Sequence, residues 1–250
     1  MDLRERNDIM RRHPWEVARL KAIEYIIKRY VDRNIINKAL DVGCGDAFIT
    51  NNICNELIIK MIDGVDINLS AEQLSSFIKR ENVHLYNNYD NLKDYDLILL
   101  CDILEHVKDD NTFLTDIVKH YLVPGGYILI TVPAFQFLSS SHDDFLGHFR
   151  RYNLMELNKL IEKLAIHKIS GGYLFFSLLP FRFFRLFLER YFPGKIKMSK
   201  GVGRWNGSEF VSQYIESILI MDAYFSLALT YFKIKLPGLS AWILCQKQLL

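Results

Sequence analysis

Leu40-Asp41-Val42-Gly43-Cys44-Gly45-Asp46 sets two glycines between a short apolar run and a helical pattern that opens at Ala47. The run Lys38 to Val42 stops abruptly at Gly43, the pattern of a strand buried on both faces. Glycines at such a turn let the backbone pass close to a bound ligand. The helix behind it adds free N–H groups at its start. In an open α/β sheet the crevice at the carboxyl ends of the strands is where ligands bind.

The same alternation continues on both sides. Pro14 to Tyr30 reads as an amphipathic helix entered through His13-Pro14, since proline suits the first helical turn. Beyond the glycine turn come a helix to about Ile58, a strand from Ile58 to Val65 that ends at Asp66, and a helix from Ser70 to Arg80. Strands follow at Val83 to Tyr86 and Asp96 to Cys101, then a helix at Asn111 to Tyr121. A strand at Gly126 to Val132 is entered through Pro124-Gly125-Gly126, and a helix at Leu154 to Leu164 precedes a strand at Ile166 to Ser170. Ala241 to Cys245 is the last strand, and the aromatic stretch from Gly171 to Gly238 reads as two or three helices. This order predicts a mainly parallel, doubly wound sheet with helices on both faces. With no polar linker, one domain is expected: a helical cap over 1–36, a core over 37–171, an aromatic insertion over 172–237 and the last strand over 238–250.

Composition narrows the class. Half of the 250 residues are hydrophobic and 24% are charged, which excludes a disordered chain. The net charge is +2, with no dense Lys/Arg run, so a nucleic-acid substrate is not expected. Cys44, Cys54, Cys101 and Cys245 form no CxxC pair, which fits a reducing cytoplasm. Met1 to Arg6 is charged with no apolar region behind it, so no signal peptide is expected. Charges interrupt the apolar stretches Tyr173 to Phe192 and Ile218 to Phe232, so neither reads as a membrane span.

About 20 residues after the glycine turn, Asp66 ends the next strand, where a ribose would be held. That much also suits a nicotinamide dehydrogenase. The dinucleotide form G-x-G-x-x-G, however, would put glycine where this chain has Phe48. An acidic residue ahead of the first glycine, here Asp41, suits a ligand with a cationic amino-acid end.

Taken together, the chain resembles the class I S-adenosylmethionine (SAM)-dependent methyltransferases. Asp41-Val42-Gly43-Cys44-Gly45 is similar to their motif I and Gly64-Val65-Asp66-Ile67 to their acidic motif II. Tyr95 to Val107, which contains Cys101-Asp102-Ile103-Leu104-Glu105-His106, resembles their fourth-strand motif. Val123 to Ile130 resembles the turn and strand after it. Ala47 departs from the pattern, because many members have a third glycine there. Arg12-His13-Pro14-Trp15-Glu16, Ser141-His142-Asp143, Gly147-His148-Phe149-Arg150-Arg151-Tyr152 and Pro237-Gly238-Leu239-Ser240 resemble a bacterial subgroup often met in glycan and lipid biosynthesis.

The resemblance implies a Rossmann-like, seven-stranded sheet with a helical insertion before the last strand, and SAM as cofactor. It implies that Asp41, Gly43, Cys44, Gly45 and Asp46 cradle the methionine end, with Cys101 and Asp102 beside it. Asp66 would take the ribose, Ile67 would follow it, and Asn87 or Asn88 would lie near the adenine. A base for the acceptor favours His or a carboxylate, and His142, Asp143 and His148 are the candidates. Arg150, Arg151 and Tyr152 are the candidate substrate binders, since guanidinium pairs bidentately with phosphate or carboxylate. The spacing of His142, Asp143 and His148 is not compact enough to favour a metal site, and no metal is expected. The expected reaction is O-methylation of a small or lipid- or glycan-linked acceptor. A nicotinamide oxidoreductase and a non-catalytic SAM-fold assembly module are the alternatives. The 173–192 segment, with Arg182, Arg185 and Glu189 on one helical face, reads as a lid, a homodimer surface or a peripheral membrane contact.

Overall fold

The apolar runs become seven strands: β1 (Lys38–Val42), β2 (Met61–Val65), β3 (Val83–Tyr86), β4 (Tyr95–Cys101), β5 (Leu122–Pro133), β6 (Ile166–Leu174) and β7 (Ser240–Lys247). They form one sheet in the order β3-β2-β1-β4-β5-β7-β6. The five strands from β3 to β5 run parallel, and β7 lies antiparallel between β5 and β6. The computed structural model describes residues 12–32, 36–57, 59–77, 80–191, 205 and 207–249. The ends of the expected helices and strand at Ile58, Ile78 and Lys79, and the part of the insertion over 192–204, lie outside the described residues.

The continuous apolar runs resolve into two faces because successive side chains of a strand point opposite ways. Leu97, Leu99, Leu129, Trp242 and Leu244 share a buried layer with α1 (Pro14–Tyr30), α2 (Phe48–Leu57) and α3 (Ala71–Phe77). Ile98, Leu100, Ile128, Ile130 and Ile243 pack on the other side against α4 (Asp110–His120) and, past α5 (Ser141–Leu146), against α6 (Leu154–Ile161). Each such fully buried aliphatic contributes about 1.5–3 kcal/mol of transfer free energy. Both layers are therefore needed to hold the strand ends where the glycine turn sits.

Two boundaries move outward from the sequence expectation. β5 starts at Leu122 rather than Gly126, and β6 runs on to Leu174 because Gly171 to Leu174 pair with Ile243 to Ser240 of β7. The insertion contains α7 (Leu179–Tyr191) and α8 (Glu209–Tyr231) among the described residues. α8 packs along α1, with Tyr25 and Tyr224 ring centroids 5.1 Å apart, so the N-terminal helix and the insertion build one layer. α7 has no buried residue, and Phe181, Phe184, Phe187 and Tyr191 are all exposed. No helix among the described residues is long and apolar enough to cross a membrane.

Candidate active site

The turn after β1 is locked across the end of β2. Gly43 N–H and Cys44 N–H both donate to Val65 O, at 2.7 and 3.2 Å. Gly43 (φ +68°) and Gly45 (φ +54°) take left-handed conformations, and a Cβ on Gly43 would run into the Ile103 side chain. Ala47, the departure from the family pattern, also takes positive φ, at 57°. That is why a glycine suits this position, and alanine tolerates it at a modest cost in strain.

Asp66 is half-buried beside this turn. Its Oδ2 accepts from Gly45 N–H at 3.1 Å and its Oδ1 from Asn68 N–H at 2.9 Å. Ile67 follows with 70% of its surface exposed, a large apolar side chain left open at the strand edge. Asn87 and Asn88, just past β3, are exposed and bonded to each other through Asn88 Nδ2 and Asn87 Oδ1 at 3.3 Å. Asp102, just past β4, has φ 58°, donates its N–H to Thr131 O at 2.8 Å and accepts from Thr131 Oγ1 at 3.2 Å. Cys101 is buried, and burial pushes its thiol up to about 12, too high for a reactive thiolate.

Asp41 lies behind the turn rather than in the crevice. It is buried and accepts from Thr50 Oγ1 at 2.6 Å. Burial raises its carboxyl to about 6, with the Thr50 hydrogen bond opposing. A carboxyl raised in the fold contributes stability that is fully present below its unfolded value near 3.8 and is lost as pH rises through about 6. Asp41→Asn removes that loss. The variant is expected to be more stable than the parent above pH 6, by something on the order of 3 kcal/mol, with the advantage fading toward pH 4. Urea denaturation at several pH values reads this directly.

α1 and the residue just ahead of its N-cap supply residues that sequence reasoning left out of the site. Arg12 pairs with Asp46 at 2.5 Å and Glu16 at 3.4 Å, and its guanidinium lies over the Phe48 ring, 4.1 Å from the centroid. Arg19 is ion-paired to Asp102 and lies over Trp15. Glu16 and Arg19 lie three apart on α1, one face of a helix, and Arg12 precedes its N-cap His13. Together they bridge the two turns that flank the crevice.

A second cluster follows β5. Asp143 is buried in α5, whose N-terminus is closed by a capping box with Ser140. Its carboxylate accepts from Arg151 Nε at 2.7 Å, Arg151 Nη2 at 3.1 Å and Arg182 Nη2 at 3.0 Å, and it lies 3.0 Å from His148 Nδ1. Burial alone raises an acid, but the His148 and Arg151 contacts overcome it and hold the Asp143 carboxyl far below the usual range. His142 is half-buried. Burial lowers its imidazole, Asp143 opposes that, and Arg182 and Arg185 lower it further. Glu105 is fully buried, and burial first, then the Asp102 charge, push its carboxyl well above the usual range.

The three candidate substrate binders are all engaged within the fold. Arg150 pairs with Asp110 at 3.0 Å and donates to Lys108 O. Arg151 is buried against Asp143, and Tyr152 OH is 2.7 Å from Asp110 Oδ2 and 3.1 Å from Leu104 O. Arg182 of α7 also donates to Leu138 O and Ser140 Oγ, which lashes the aromatic helix to this cluster.

Residues 18–178 match a family described as a methyltransferase domain. A ubiquinone biosynthesis O-methyltransferase of Rickettsia canadensis is 29% identical over 119 residues, which are 44% of this chain and 49% of that protein. The chain thus spans about half the length of this curated relative. A SAM-dependent methyltransferase from Archaeoglobus fulgidus superposes with a TM-score of 0.54 at 17% identity, covering 91% of this chain and 94% of the other. The plantazolicin methyltransferase BpumL, solved in complex with SAH, gives 0.53 at 16% identity, covering 94% and 85%.

Proposed function

The chain belongs to this methyltransferase-domain family, and from that footing we propose that it is a SAM-dependent methyltransferase that methylates an oxygen of a small or lipid- or glycan-linked acceptor. The residues at the crevice fit the cofactor. Gly43 and Gly45 hold left-handed backbone that a bulkier residue would resist, Asp66 offers a half-exposed acceptor to ribose hydroxyls, and Ile67 offers an exposed apolar surface to a flat base. When bound, SAM supplies an electrophilic methyl group on a sulfonium. Gly43 to Asp46, with Cys101 and Asp102, would hold the amino-acid end, and Asn87 or Asn88 would lie near the adenine.

Methyl displacement asks the protein mainly for alignment. Arg12 and Arg19 tie α1 and the residue ahead of its N-cap to Asp46 and Asp102, at the turns after β1 and β4. The proton of an acceptor hydroxyl needs a neutral base nearby, and the lowered imidazole of His142 is neutral near pH 7. Asp143, engaged by two arginines and His148, positions rather than accepts. The observation that carries the reading is the placement of this His142–Asp143–His148 cluster after β5, beside the β4 edge that holds Asp102. His142→Ala is expected to lower turnover by about 100-fold or more while cofactor affinity stays within about two-fold of the parent. Unchanged turnover would remove His142 from the chemistry.

The acceptor class is supported by α7. Its exposed Phe181, Phe184, Phe187 and Tyr191 form an apolar surface on a helix that Arg182 joins to the Asp143 cluster. Such a surface suits a lipid-linked acceptor presented at a membrane interface, or a second copy of the chain. Incubation with methyl-labelled SAM and total lipid and aqueous extracts tests it. Label in the organic phase, released by ester or ether cleavage under conditions that leave N-methyl groups intact, is the expected result. Label only on nitrogen compounds in the aqueous phase would overturn it.

A further inference from the structure

Glu105, His106 and His148 each bring one ligand atom within 4.8 Å of the others. Glu105 and His106 lie on the turn Leu104–His106 that follows β4, and His148 lies past α5. The two segments are joined by Phe149 N–H donating to Glu105 O at 2.7 Å. Glu105 is 0% exposed, and neither of its carboxylate oxygens has a hydrogen-bond partner from another residue. Buried carboxyl oxygens without hydrogen-bond partners are costly, and a bound cation would satisfy them. His148 is held through Nδ1 by Asp143 Oδ1 at 3.0 Å, which leaves Nε2 as its ligating nitrogen. A carboxylate that fixes one ring nitrogen while the other binds metal is the usual support for a histidine ligand. The His106 and His148 rings meet edge to face with centroids 4.6 Å apart, which holds the two imidazoles side by side.

We propose that Glu105, His106 and His148 bind one divalent transition-metal cation of the Zn2+ or Mn2+ class. Two imidazole nitrogens and one carboxylate favour these ions over the all-oxygen shells of Ca2+ or Mg2+. Three protein ligands leave positions open for an acceptor oxygen and water. The role of the ion rests on the methyl-transfer reading. It binds the acceptor hydroxyl and lowers its pKa, and the proton passes to His142. An oxygen lone pair takes the methyl carbon, and the C–S bonding electrons return to sulfur, leaving S-adenosylhomocysteine.

The test uses the full chain stripped with EDTA and titrated with ZnCl2 and with MnCl2 by calorimetry, with S-adenosylhomocysteine titrated in parallel. One equivalent of Zn2+ or Mn2+ per chain is expected. Affinity should fall by about 100-fold or more in Glu105→Gln and in His148→Gln, and stay unchanged in His120→Ala, an exposed histidine at the end of α4. The visible absorption of the Co2+-loaded chain should be lost in the first two variants, whose urea transitions report that they remain folded. Substoichiometric binding of both ions to the parent chain, or equal affinity in folded Glu105→Gln and His148→Gln, would overturn the site. S-adenosylhomocysteine binding without metal binding sinks the metal site alone, whereas metal binding without S-adenosylhomocysteine binding sinks the cofactor reading alone.

Discussion

Asp66→Ala is expected to weaken S-adenosylhomocysteine binding by about 10- to 150-fold, the equivalent of roughly 1.5–3 kcal/mol for a hydrogen bond to a charged group. Asp66 closes β2, and its carboxylate already accepts from Gly45 and Asn68, so the side chain is oriented before ligand arrives. Nothing needs to be ordered on binding, which is what makes the acceptor worth its full strength. Alanine also frees Gly45 N–H, so part of the loss comes from the turn. Asp66→Asn keeps an acceptor oxygen and should lose less, which separates the two contributions. Calorimetric titration of both variants measures them, and parental affinity in Asp66→Ala would show that the ribose lies elsewhere.

The largest expected effect on stability comes from Asp143. Its carboxylate is the shared acceptor for Arg151, Arg182 and Ser140 and lies against His148. Removing one partner of a buried pair leaves the other charge uncompensated, so Asp143→Ala should cost about 3–5 kcal/mol. Much of that penalty is the stranded Arg151 guanidinium, which is buried. Asp143→Ala combined with Arg151→Met should therefore be more stable than the single variant, a coupling that a double-mutant cycle in urea reads. The depressed Asp143 carboxyl adds stability that is present above its unfolded pKa and lost only at strongly acid pH. A loss under about 1 kcal/mol in Asp143→Ala would show that the network is solvated and adds little.

Most of the fold was legible because its signals are local. Buried parallel strands write continuous apolar runs, and the glycines after β1 mark a turn whose backbone is left-handed. The antiparallel placement of β7 between β5 and β6 follows from pairing across the 106 residues between Pro133 and Ser240 and the 65 between Leu174 and Ser240, which no local pattern records. β6 reached Leu174 because pairing with β7 extends it beyond the apolar run.

The site was legible where a motif defines it and less so where partners meet in space. The residues Gly43, Gly45, Asp66 and Asp102 line the strand edge as the motif order implies. Arg150, Arg151 and Tyr152 read as ligand binders because the sequence does not show that Asp110 and Asp143 already occupy them. Likewise Glu105 read only as part of a strand motif. Its burial beside His148, about 40 residues away in the chain, emerges only when Phe149 bonds back to it.

Calorimetric titration of the purified chain with S-adenosylhomocysteine, with NAD as the control, addresses the cofactor assignment on which the rest depends. One site per chain at micromolar strength, with no response to NAD, is the predicted result. Binding of NAD with no response to S-adenosylhomocysteine would contradict it, and would return the crevice between the Gly43–Gly45 turn and Asp66 to the dinucleotide reading that Phe48 argues against.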